Sequence, residues 1–304
     1  MNRLNLQLTL AVALIVLFTG CVSKESVKLV QGYAKSSATV QQDVLDVYDE
    51  TIQARHNAKL MTAVKDGAFI KGVVPDEIEH SGQVKALSSL LAFSEAVYAL
   101  ASDDTGEDID KYTEKLNGSL SSMSDNPKLP EQYKVDTTLI STGVNAISRA
   151  YTEYSRYKAL KKVMIESNAT ITGTIDLLRK DLPSWKEATR VSLQKELNIR
   201  MFLLNNPNRC TDNPETTCET YVHTIEEKRD AYKKASDIKI RLTQLNNHFK
   251  ALDKALAAIA NLHNAIIVSL ESDNDVNIAS AKKAYKAAKV QIDAIKDFKN
   301  EIKE

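Results

Sequence analysis

The chain has 304 residues with 40 basic and 40 acidic side chains, and this balance excludes a global attraction to nucleic acid or to an anionic lipid surface. Hydrophobic residues make up 43%, enough for a buried core, yet only 6% are aromatic and the chain holds just nine glycines and six prolines. That profile disfavours a β-sandwich or barrel and favours helices.

Arg3 precedes an apolar run from Leu8 to Phe18 that ends in Phe18-Thr19-Gly20-Cys21. The run is shorter than the ~20 residues a transmembrane helix needs and has the length of an export-signal core. The small Gly20 before Cys21 resembles the lipobox of bacterial lipoproteins, with Phe18 standing where that family usually has Leu. The resemblance is confined to this signal. It implies that residues 1–20 are removed, that Cys21 is acylated as the mature N-terminus, and that the lipid attaches the chain to a bilayer. Val22 in place of Asp implies delivery to the outer membrane, under the usual enterobacterial sorting preference. No flexible or low-complexity tether interrupts residues 21–304, which read as one elongated domain.

Val30, Tyr33, Val40, Val44, Val47, Ala54, Ala58 and Met61 recur at helical steps and predict the first mature helix. Glycine and proline then cluster at Gly67 to Pro75, Asp103 to Gly106, Asn126 to Pro130 and Asn206 to Pro214, dividing the chain into helical segments. Gly67 and Gly72 have the spacing of a phosphate-binding loop. Val73 and Val74 occupy the places of its Lys and its Ser or Thr, so the segment reads as a turn. Glu77 and His80 form a Glu-x-x-His step of the kind found in di-iron bundles, but no other histidine has Glu three residues before it. Glu77 and Glu79 then serve to favour a helix start after Pro75.

The central segment carries Ile140, Val144, Ile147, Tyr151, Tyr154, Tyr157, Leu160, Met164, Asn168, Ile171, Ile175, Leu178 and Leu182. Tyr151, Tyr154 and Tyr157 form either the outer layer of a core or an interaction or cavity face, as do Tyr33, Tyr48, Tyr98 and Tyr112 elsewhere. Pro183 predicts a kink or an end, and Ser184 with Glu187 reads as a capping box opening a second helix at Trp185.

Once Cys21 is committed to lipid, Cys210 and Cys218 are the remaining thiols, and export to an oxidising compartment predicts a disulfide between them. Closing so short a loop contributes on the order of 2–3 kcal/mol. Their spacing fits no common zinc pattern and only His223 lies near, so no metal is expected. Ile238, Leu242, Leu245, Phe249, Leu252, Leu256, Ile259, His263, Ile266 and Leu270 step alternately by four and three, a coiled-coil seam with one polar member. His263 reads as a core histidine that must find a partner, or as a register or pH switch. Ile278, Ala281, Tyr285, Ala288, Ile292, Ile295 and Ile302 repeat the pattern, and Glu271 to Asp275 would join the two helices as an antiparallel hairpin. The seven lysines from Lys282 to Lys303 are diluted by five nearby acids and read as a solvated face.

The predicted architecture is an all-α, elongated helical bundle with long antiparallel coiled-coil helices. Hydrolase, zinc-protease and dinucleotide signatures are absent from the sequence, and no cofactor is implied. The expected function is a membrane-anchored, non-catalytic scaffold that binds a protein partner, in a more specific form protecting against an envelope toxin or phage component. A small-ligand-binding bundle is the second reading. A pore-forming helical protein is the third, weakened because Asn261, His263 and Asn264 interrupt the apolar stretch from Ala255 to Leu270.

Overall fold

The computed structural model describes residues 3–66, 81–102, 109–134, 146–147, 153–205, 208–209, 219–220, 224–272 and 275–303, the side chains of 3–24, 81–82, 153–154, 156, 208–209, 219–220, 275 and 297–303 excepted. Its helices are α1 (Arg3–Asp66), α2 (Ser81–Ala101), α3 (Ile109–Ser124), α4 (Glu153–Glu166), α5 (Asn168–Asn205), α6 (Ile225–Ser272) and α7 (Asp275–Lys303). The fold is an all-α helical bundle. One short antiparallel ladder supplements it, in which β1 (Asn208–Arg209) pairs with β2 (Glu219–Thr220).

Helices α1, α2, α3 and α5 end where the sequence places glycine, proline and asparagine. After α3 the Asn126 side chain accepts the Lys128 amide at 2.9 Å, and a 3₁₀ turn follows at Glu131–Tyr133. That turn lies against α5: Thr170 Oγ1 donates to the Tyr133 carbonyl at 2.6 Å. Gly173 admits the tyrosine ring, since a Cβ there would lie 2.5 Å from Tyr133 Cγ.

Helix α5 continues through Pro183, correcting the expected helix end there and the second helix start at Trp185. Leu182 and Trp185 are both buried beside the proline, contributing roughly 1.5–3 kcal/mol each. Together they outweigh the ~3 kcal/mol that an interior proline costs, and Pro183 itself faces solvent. Ser184 is exposed as well, and Glu187 pairs with Arg190 at 2.6 Å instead of capping. A reciprocal capping box forms at the start of α6, where the Thr224 amide donates to Glu227 Oε2 at 2.9 Å and the Glu227 amide to Thr224 Oγ1 at 3.1 Å.

The chain divides into two compact units. The first comprises Met1–Leu45, His80–Lys180 and Leu252–Asp297. In it α2 buries Leu87, Leu90, Phe93, Val97 and Leu100, and packs on α3 through Leu116, Leu120 and Met123. The seam residues Leu252, Leu256, Ile259, His263, Ile266 and Leu270 of α6 are all buried, as are Ile278, Ala281, Ala288, Ile292 and Ile295 of α7. Gly32 lets α1 approach α7, because a Cβ there would meet the Tyr285 ring at 2.9 Å. Lys282, Lys283, Lys286, Lys289 and Lys296 are exposed, and Lys282 pairs with Glu25 at 2.5 Å, which holds that carboxyl below its ordinary range.

The second unit comprises Asp46–Glu79, Asp181–Ala251 and Phe298–Glu304. Ala54 of α1, Leu193 of α5 and Ile238 of α6 form its apolar cluster, with Leu197 and Leu242 packed against it. Tyr48 meets Trp185 edge-on at 4.0 Å between ring centres, and Thr51 Oγ1 lies 2.6 Å from Thr189 Oγ1. Each hydroxyl carries one proton, so one threonine donates across to the other, and the acceptor donates to the carbonyl one turn back in its own helix.

Candidate binding surfaces and the buried polar core

The residues singled out by the sequence fall at different depths. Cys21 lies in the described backbone of α1, and its side chain is outside the described residues. Cys210 and Cys218 are outside them too, flanked by the β1–β2 ladder that pairs Arg209 with Glu219. The Glu77–His80 step and the Gly67–Gly72 segment are likewise outside. Of the tyrosine stripe, Tyr151 and the Tyr154 side chain are outside, and Tyr157 is buried. Among the described residues no group of three His, Cys, Asp or Glu side chains could hold a metal.

His263 is fully buried, and the ring beside it is Tyr33 of α1, 5.0 Å away between centres and tilted by 45°. The expected hydrogen-bond partner is missing among the described residues: neither Nδ1 nor Nε2 has one. Burial therefore lowers the imidazole to about 3, and the same burial raises the Tyr33 phenol, opposed by Ser37. Ser37 accepts from Gln41 Nε2 at 2.6 Å, whose Oε1 is left unpaired in the core. The four side chains make a polar string in an apolar unit. At neutral pH the imidazole is uncharged and the phenol protonated, and both lie out of reach of solvent.

The other tyrosines separate by environment. Tyr48 is buried, its phenol raised by burial first and by the charge of Asp181 second. Tyr98 and Tyr112 instead line an open cleft of about 680 Å³ in the first unit, formed by one face each of α1, α2 and α3. Ala34, Lys35, Ala38 and Thr39 come from α1, Glu95, Tyr98 and Ala99 from α2 with Ser102 just after its end, and Tyr112 and Lys115 from α3. These positions recur at the three- and four-residue steps that share a helix face. Lys115 pairs with Glu95 at 2.5 Å across the cleft.

In the second unit an open groove of about 490 Å³ is lined by Thr62, Lys65, Arg190, Val191, Gln194, Lys195 and Ile199, among others. Val191 and Phe202 are 50% and 48% exposed, and Lys65 Nζ stands 5.4 Å from the Phe202 ring centre. Val64 and Met201 are exposed nearby in the sequence. Sequence periodicity could have flagged Val191 and Phe202, because they fall off the buried stripe of Leu182, Trp185, Leu193 and Ile199. No family model, curated protein or solved structure matches this chain.

Proposed function

We propose that the chain is a lipid-anchored, non-catalytic lipoprotein of the bacterial envelope that captures a partner protein on the exposed apolar surface of its second unit. The surface is the observation that carries this reading. Large apolar side chains left half in water, next to an open groove and under a lysine, are the composition of a protein-docking patch. Anchoring rests on Gly20-Cys21 and the apolar run before it, with Val22 favouring the outer membrane. The partner class that fits an envelope scaffold includes a toxin or phage component to be blocked.

A disulfide between Cys210 and Cys218 belongs to the same proposal. Asn208 pairs with Thr220 and Arg209 with Glu219, so the described ladder brings together the two strands whose sequence neighbours are the cysteines, which supports the pairing.

A photo-crosslinking residue placed at Val191 or Phe202 in living cells should give one discrete adduct, and the same residue at exposed Lys289 should give none. Equal yield from all three positions, or none from the first two, would overturn the docking surface. A clickable fatty acid should label the native chain and not Cys21→Ala; label retained by that variant removes the anchor.

A further inference from the structure

We propose that the α1–α2–α3 cleft of the first unit is a binding site for a small aromatic carboxylate, independent of partner capture by the second unit. Its volume of about 680 Å³ falls within the ~300–1,000 Å³ of small-molecule sites. Depth comes from residue size. Ala34 is fully buried, and Ala38 and Ala99 are half-buried, so α1 and α2 present methyl groups to the cleft between the longer side chains of its walls.

The walls are aromatic, Tyr98 exposed and Tyr112 half-buried, and they offer ring faces and edges to a flat ligand while their hydroxyls stay near water. Charge selects the sign. Glu95 is the acid of the lining, and its carboxylate is taken up by Lys115 at 2.5 Å. Lys35 is exposed and has no ion pair among the described residues, so the cleft retains one cation for an anionic group. A ring system between the tyrosines with its carboxylate toward Lys35 satisfies both requirements.

Equilibrium dialysis of the full chain in zwitterionic detergent, with naphthoate and its neutral amide as probes, tests this against a detergent-only control. Naphthoate should bind at one site per chain. Lys35→Glu should weaken naphthoate about tenfold and leave the amide within about twofold, and Ala38→Trp should weaken both by about tenfold or more. Circular dichroism checks that each variant is folded, and Lys35→Glu, at an exposed position, keeps the test available if Ala38→Trp fails to fold. Naphthoate affinity unchanged in Lys35→Glu, or lost on Thr62→Trp in the other unit's groove, would overturn the assignment. Crosslinks from Val191 and Phe202 report on partner capture separately, so failure of one reading leaves the other standing.

Discussion

An imidazole buried without a hydrogen bond costs about 1–3 kcal/mol, and His263 incurs that cost inside a seam whose other members are Leu, Ile and Phe249. The cost depends on pH. With the folded value lowered from 6.5 to about 3 by burial, the unfolded chain binds a proton first as pH falls. Stability from this site is therefore whole above about pH 6.5 and declines as pH falls toward 3, with a slope approaching 1.4 kcal/mol per pH unit. Urea unfolding at about pH 7 and about pH 5 should show the decline in the native chain and a much flatter profile in His263→Leu. The same slope in both would show that other groups carry it. The seam spacing put His263 in the core, but Tyr33 beside it comes from a helix far away in sequence, and no local pattern discloses such a neighbour.

Two Ser/Thr-x-x-Glu steps look alike as sequence, and only one caps a helix. Ser184 follows a proline inside a continuous apolar stripe, where Leu182 and Trp185 bury on either side and hold α5 together. Thr224 follows a segment rich in Asn, Pro and Thr, with no apolar stripe running through it, and its hydroxyl and the Glu227 carboxylate serve the first amides of α6. Thr224→Ala should cost about 1 kcal/mol in urea unfolding, whereas Ser184→Ala should cost nothing measurable; equal losses would contradict this assignment. The breaks after α1, α2, α3 and α5 were readable because glycine and proline act locally. The contact between Tyr133 and Gly173 was not, because close approach across the chain leaves no periodic trace. Gly173→Ala should displace the Tyr133 ring and destabilise by about 1–3 kcal/mol. Tyr133→Ala in the same background should remove most of the added loss, since the clash then has no ring to act on.

At the scale of the molecule, the proposed lipoprotein reading requires something that holds the chain to a membrane. Charge does not, with 40 basic and 40 acidic residues. Two helices in the described residues are long and apolar enough to cross a bilayer, in the windows Gln83–Ala101 of α2 and within Ile225–Ser272 of α6. Length and composition are met, but 56% and 50% of those windows are buried inside the protein. Leu87, Leu90, Phe93 and Leu100 of α2 already face the core, and moving them into lipid would exchange one apolar environment for another while stranding the buried polar string. The folded chain therefore has little to gain from inserting either helix, and the proposed anchoring rests on residues 1–21. A chain in which those residues are replaced by a cleavable export signal should fractionate as a soluble protein, while the native chain should stay in the membrane through high-salt and alkaline carbonate washes. If the shortened chain remained with the membrane after both washes, α2 or α6 would have to be in contact with lipid. The pore-forming reading would then displace the lipoprotein scaffold.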